Sequence, residues 1–290
     1  MIESIFSALL NAIMLGGLYS LIAISLNLQY SLTRMINVAH GELIMFAGYV
    51  TYWLFTLYGV SPILSVVATF PILFIIGLLL YRGIIRRIFL SYKVLEILEA
   101  NLILVALGML FIIQNLVLIV WTGKHRTYNY LTSNIQIWTA IIPMNRIVVF
   151  IFATLASLIF YFFLKRTLTG KAMRAIIENT TGATALGIDV SKIYALSFGL
   201  GFGMAGVAGS LVSMLFTLTP TIGMEFTAVA FFVIILGGLK NMLGSLISSF
   251  IIAAIQIFSS YYTNPGFAWI IIYIAFIFIL IVRPEGLLKS

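Results

Sequence analysis

The chain has 290 residues, of which 62% are hydrophobic and only 8% charged, with a mean hydropathy of +1.18. So few polar residues cannot clothe a water-soluble domain, so lipid is the solvent. The formal net charge of +8, from 16 Lys and Arg against 8 Asp and Glu, then reads as membrane orientation rather than nucleic-acid binding. The absence of cysteine excludes disulfides, thiolate metal sites and cysteine nucleophiles.

The expected fold is all-α: one polytopic transmembrane helix bundle over residues 1–290. A bilayer core of about 30 Å needs roughly 20 apolar residues per span, and charges are rare at its centre, so cutting the chain at its charges outlines the spans. Met1-Ile2-Glu3-Ser4 lacks the basic start of a signal peptide and the apolar run behind it is too long for one, which predicts a retained first helix. That first span covers residues 4–33. Residues 43–81 hold two spans, broken at Gly59-Val60-Ser61-Pro62, where Gly and Pro favour a tight turn. A fourth span covers 101–121, a fifth 147–164 and a sixth 193–216. Residues 241–282 hold two more, divided at Thr263-Asn264-Pro265-Gly266. Between them, residues 226–239 form an uncharged run short enough for a re-entrant segment.

Charge balance decides how that short run is read. If it crosses, the cytoplasmic side carries Arg34, Arg82, Arg86, Arg87, Lys93, Lys165, Arg166, Lys171, Arg174, Lys192, Lys240, Arg283 and Lys289, against Lys124, Arg126 and Arg146 outside, a split of 13 to 3. If it does not, Lys240, Arg283 and Lys289 move outside and the split is 10 to 6. The positive-inside rule favours crossing, which predicts eight full spans and one short one, with the N-terminus outside and the C-terminus cytoplasmic.

Two loops stand out. The outside loop 122–146 is polar and aromatic, with Tyr128, Tyr130 and Trp138 expected as interfacial anchors. The inside segment 165–192 places Met173, Ile176 and Ile177 at helical spacing, which predicts an amphipathic helix exposing an apolar stripe. A second short helix over 181–186 is expected to stop at Gly187, which suits a left-handed cap. A bland alternative is a basic loop that merely fixes topology. Leu-Gly-Gly-Leu occurs at 15–18 and again at 236–239, a weak sign of related halves.

Further polar and small residues carry expectations of their own. In the sixth span, Gly199/Gly203 and Ala205/Gly209 have the spacing that lets helix backbones approach closely in lipid. Asn11, Asn27, Gln29, Gln114, Asn115 and Gln256 lie within spans and are expected to face the bundle, since hydrocarbon cannot satisfy them. His40 and Glu42, where the first span turns into the second, form a candidate substrate-facing or proton-responsive pair. The alternative there is a capped polar re-entry, with Asn37 satisfying free amides. Glu96 and Glu99 share a helix face and are expected to meet Lys93 or Arg87.

Several runs resemble one family. Met35-Ile36-Asn37-Val38-Ala39-His40-Gly41-Glu42, followed by Met45 and Gly48-Tyr49, is similar to the "INxAHGE" signature of the H-type permease subunit in branched-chain amino-acid ABC importers. Gly237-Gly238-Leu239-Lys240-Asn241-Met242-Leu243-Gly244-Ser245 resembles that family's "GGxGxxxGxxxG" turn, departing from it at Lys240 and at a later position. Arg283-Pro284-Glu285-Gly286-Leu287 matches its usual ending. The resemblance covers most of the chain in the same order.

It implies that segment 165–192 couples the chain to an ATPase, through Gly170, Arg174, Glu178, Ala183, Leu186 and Gly187. Asn37, His40, Gly41 and Glu42 become candidate pathway or gating residues. The implied partners are a homologous permease subunit, two cytoplasmic ATPase subunits and an extracytoplasmic substrate-binding protein, in the plasma membrane of a prokaryote. Leucine, isoleucine and valine are the family's usual cargo, with urea, short amides and other amino acids carried by related permeases. The sequence has no P-loop for ATP, no His-Glu-x-x-His and a single aspartate, Asp189, so neither a resident nucleotide, a metal nor intramembrane proteolysis is expected. The rival readings are an ion-coupled secondary transporter titrating at His40, Glu42 or Glu225, and a structural or signalling membrane protein.

Overall fold

Helix α1 (Ile2–Thr33) runs for 32 residues, about 48 Å at 1.5 Å per residue, and α6, α9, α10 and α11 all pack against it. Residues 16–29 of this helix are buried on every side, as expected of a helix that is apolar all round at the centre of a bundle. The computed structural model describes residues 2–92, 94–283 and 286–287. Met1, Lys93, Pro284, Glu285 and Lys289, which enter the motifs or the charge balance above, lie outside these.

The remaining elements follow the charge-based segmentation closely. Helices α2 (His40–Tyr58) and α3 (Pro62–Leu80) meet at a turn in which Gly59 has φ +66° and the Ser61 hydroxyl accepts from the Leu64 amide at 3.3 Å. A π-helical turn (Tyr81–Ile85) and α4 (Arg86–Ser91) lead to α5 (Leu95–Trp121). After a loop come α6 (Met144–Arg166), α7 (Leu168–Glu178), α8 (Thr180–Ala185) and α9 (Val190–Val212). The chain finishes with α10 (Ile222–Gly237), α11 (Met242–Tyr262) and α12 (Pro265–Val282). The turn before α12 is capped by Asn264, whose Oδ1 accepts from Phe267 N at 3.1 Å. Six helices are long and apolar enough to cross a membrane, and 222–237 and 266–282 are shorter apolar helices. The protein is thus a multi-pass helical membrane protein.

Helix α9 lies between α1, α2 and α3. In lipid the association of helices relies on close packing rather than on a hydrophobic force between them, and α9 supplies the small residues. The rings of Phe74 and Phe70 of α3 cover Gly199 and Gly203, Ala205 is fully buried, and Gly209 lies against the backbone of α2 at Ile44. Hydroxyls tie the same interface together: Ser210 Oγ lies 2.9 Å from both Thr51 Oγ1 of α2 and Thr69 Oγ1 of α3.

Within the outside loop, β1 (Asn134–Ile137) and β2 (Ala140–Pro143) form an antiparallel hairpin, with Ile135 opposite Ile142 and Trp138 at its tip. Three expectations need correction. Tyr128 is no interfacial anchor, because its ring packs on Phe55 and its hydroxyl lies 2.7 Å from Ser213 Oγ, whereas Trp138 is 77% exposed. Asn115 faces outward rather than into the bundle, since its side-chain amide is satisfied by the carbonyl of Phe111 one turn back, at 2.8 Å. Glu96 and Glu99 make no ion pair with Arg87, since the ion pair among the described residues is Lys192–Asp189 at 3.1 Å, and their other expected partner, Lys93, lies outside the described residues.

Two of the sequence motifs touch at the end of the bundle that carries most of the basic residues. Leu287 N donates to Leu236 O at 2.7 Å, and Gly286 sits against Gly238. In that turn Lys240 holds φ +74°, a left-handed backbone at the position where the resembled pattern has glycine. Such a conformation costs a residue with a Cβ roughly 1–2 kcal/mol. Lys240→Gly is therefore expected to raise the thermal midpoint of the detergent-solubilised protein, by a stabilisation of about 1 kcal/mol. A lowered midpoint would mean that the lysine side chain contributes more than its backbone loses.

Candidate functional site

The INVAHGE run does not simply round a corner at the membrane surface. Helix α1 ends at Thr33, whose hydroxyl donates to Gln29 O at 2.7 Å, and Arg34 takes φ +54° to turn the chain back. Asn37 then fixes the return. Its side-chain amide donates to Gln29 Oε1 at 3.0 Å, its Oδ1 accepts from Ala39 N at 3.2 Å, and its carbonyl accepts from His40 N, also at 3.2 Å. These bonds carry the chain back along α1, so that His40 Nε2 lies 2.9 Å from Ser25 Oγ and 3.3 Å from Ile22 O. Ser25 is eight residues before the end of α1, about 12 Å along it. Helix α2 consequently starts inside the bundle, and Asn37, His40, Gly41 and Glu42 are all buried.

At this depth the first turn of α2 meets the first turn of α10. Gly41 N donates to Thr227 Oγ1 at 2.9 Å, and Thr227 Oγ1 donates to Val38 O at 3.3 Å. The backbones touch: a Cβ on Gly41 would stand 1.8 Å from the carbonyl oxygen of Gly223. The Glu42 carboxyl lies directly over Gly223, where a Cβ would come within 2.6 Å of it, and neither of its oxygens has a hydrogen-bond partner. His40 and Glu42 are therefore not a pair. His40 faces α1 and Glu42 faces α10, with the His40 Nδ1 also lacking a partner. Sequence reasoning reached Asn37, His40, Gly41 and Glu42 but missed Gly223 and Thr227. The one available signal was a hydroxyl in the otherwise apolar run 226–239.

The segment 165–192 is a compact platform at the basic end. Three side-chain caps build it: Thr167 Oγ1 accepts from Gly170 N at 3.0 Å, Asn179 Oδ1 from Gly182 N at 2.9 Å, and Asp189 Oδ1 from Lys192 N at 3.1 Å. The Lys192 amide and ammonium hold the Asp189 carboxyl below its ordinary range. Helix α8 ends in a Schellman turn, with Gly187 at φ +83°, Ile188 N donating to Ala183 O at 3.1 Å and Gly187 N to Thr184 O at 2.9 Å.

The apolar stripe expected on the outside of this segment is turned inward. Met173 and Ile176 are buried against the bundle, with Ile177 half-buried. The reason is Gly170, which lets α7 lie directly on the backbone of α6 at Phe163 and Leu164. Of the six expected coupling residues, Gly170 and Ala183 are buried, while Arg174, Glu178, Leu186 and Gly187 face out. Leu186 is 83% exposed, as is Leu168. Arg174 and Glu178 also line a cleft of about 580 Å³ shared with Lys165 and Lys240.

Comparison with known proteins agrees with this architecture. A family model described as "Branched-chain amino acid transport system / permease component" matches residues 8–280. The chain belongs to that family. Its relatives include the high-affinity branched-chain amino acid transport system permease protein LivH of Salmonella typhimurium, 29% identical over 96% of this chain and 93% of the relative. The corresponding permease protein BraD of Pseudomonas aeruginosa is 26% identical over 97% and 94%. A probable branched-chain amino acid transport permease protein LivH of Methanocaldococcus jannaschii is 29% identical over 88% and 81%. No solved structure matches the chain.

The contact between Gly41 and Gly223 is, with that between Gly244 and Gly237, among the least forgiving points of this permease. Overfilling a packed site costs about 1–3 kcal/mol and occasionally more, and here the obstacle is backbone that no rotamer change relieves. Gly41→Ala is expected to lie at the top of that range, read as a lowered thermal midpoint and reduced yield of monodisperse protein. Gly108→Ala, where a Cβ meets open space, is the matched control and is expected to be tolerated.

Proposed function

We propose that the chain is the H-type transmembrane permease subunit of an ATP-driven importer of branched-chain amino acids. It encloses the translocation pathway with a homologous permease subunit, two cytoplasmic ATPases drive it, and an extracytoplasmic binding protein delivers the substrate. The basic end of the bundle faces the cytoplasm of a prokaryotic cell, with the N-terminus outside and the C-terminus inside, in keeping with the excess of Lys and Arg there. The names of the relatives support the cargo.

The observation that carries this reading is the capped platform 167–189, which holds Glu178, Leu186 and Gly187 outward at the basic end of a chain with no nucleotide-binding loop. Helical segments presenting a few apolar anchors dock into grooves on partners, and Leu186 beside the Schellman turn is such an anchor. Met173, Ile176 and Ala183 root the platform in the bundle. A pull on Leu186 therefore reaches α6 and α9 without being lost in a loose loop. Motion of the ATPases shifts the bundle only if the platform contacts them differently in the two access states.

Co-expression with the candidate ATPases and reconstitution test the assembly. Glu178→Ala combined with Leu186→Ala is expected to cut ATP-driven leucine uptake and its coupled ATP hydrolysis about tenfold, equivalent to about 1.4 kcal/mol of docking. Capture of leucine by the binding protein is expected to be unchanged. Normal uptake in the double variant sinks the coupling role. Uptake by this chain alone under a proton gradient favours the ion-coupled alternative, for which the buried, unpartnered Glu42 is the physical motive.

A further inference from the structure

Glu225 is out of place for a membrane helix. It lies in the first turn of α10, two residues beyond Gly223, and is exposed although the helix around it is largely buried. Its depth is set by Gly223, which lies under the start of α2 well inside the bundle. A carboxyl facing hydrocarbon at this level is costly, so such groups face a water-filled cavity or the interior of an assembly.

A cleft of about 560 Å³ opens beside it. Its walls are Leu107 and Leu110 of α5, Met224 and Phe231 of α10, and Trp269 and Tyr273 of α12. Among the described residues no Lys, Arg or His lines it, and Glu225 makes no hydrogen bond or ion pair. Thr227 also lines it, but its hydroxyl is engaged with Gly41 N and Val38 O, so Glu225 is the charged group left to a ligand, and an apolar cavity of this size with one such group has the character of a small-molecule site. The single group is anionic, two of the walls are electron-rich rings, and the rest is aliphatic. The complementary ligand carries a cationic group and an aliphatic body.

We propose that this cleft is the chain's share of the substrate path, and that Glu225 receives the ammonium group of an aliphatic α-amino acid whose carboxylate stays hydrated at the open side of the cleft. The electron-rich rings of Trp269 and Tyr273 on the same wall suit a cation, and Leu107, Leu110 and Phe231 take the aliphatic side chain. The inference rests on the amino-acid permease reading and gives it a recognition site inside the membrane, separate from any choice made by the binding protein.

The test uses the whole reconstituted complex with its binding protein. Glu225→Gln is expected to lower leucine uptake by about tenfold or more, while co-purification of the partner subunits and ATP hydrolysis stimulated by the binding protein stay within about twofold of wild type. Glu225→Asp, which keeps the charge, is expected to recover a substantial part of the uptake. Wild-type uptake in Glu225→Gln overturns the proposal. So does loss of the partner permease from the purified complex, which assigns Glu225 to an ion pair between subunits. A wild-type complex that takes up no aliphatic amino acid removes the permease reading and this proposal together, and the unmodified control distinguishes that failure from the others.

Discussion

Everything distinctive in this bundle depends on the meeting of two helix starts in its interior, Gly41 of α2 against Gly223 of α10. A helix that begins within a membrane leaves free amide groups where no bulk water can reach them, and each must find a partner in the protein. Here the partners are specific: Thr227 for Gly41, and Asn37, with Gln29 behind it, for the turn that precedes them. Remove the side chains at 41 and 223 and the two starts can touch; add either back and they cannot. The unpartnered Glu42 carboxyl sits at the same point, so a very tight backbone contact adjoins an unsatisfied buried group.

The basic end answers a different demand. There the chain must present something to water while staying fixed to the bundle. It does so with short, individually capped helices in place of one long one. Thr167, Asn179 and Asp189 each close a helix start, and Gly187 closes the intervening end. Burial of Met173 and Ile176 makes the platform part of the core, so that only the polar face and Leu186 remain outside. The contact between the C-terminal Gly286-Leu287 and the turn at Gly237-Gly238 ties the ends of α10 and α12 together beside it.

Much of this was legible from the sequence for a plain reason: in lipid, charge and length alone delimit helices, and the turns at Gly59 and Asn264 are marked by their own chemistry. The αL stop at Gly187 and the packing glycines of α9 follow from local rules as well. What escaped was everything decided by long-range geometry. Nothing in the local spacing of His40 and Glu42 reveals that they face different helices, because that depends on α2 starting about two turns back along α1. The stripe at Met173 and Ile176 has the periodicity of an amphipathic helix whether it faces solvent or α6, and Gly170 decides which. Asn115 looked like a bundle-facing polar residue, yet a single bond to its own helix satisfies it.

The register of α2 is the most direct point of attack. The chain has no cysteine, so any introduced pair is unambiguous. With Thr51 Oγ1 and Ser210 Oγ 2.9 Å apart, the pair Thr51→Cys and Ser210→Cys is expected to form a disulfide readily under mild oxidation. If α2 instead began level with the end of α1, position 51 would shift by about 12 Å, or about eight residues along α9, and pair with position 202. Efficient cross-linking of 51 to 210, with none between Thr51→Cys and Phe202→Cys, is the result expected of a helix that starts inside the bundle. The opposite pattern would contradict it.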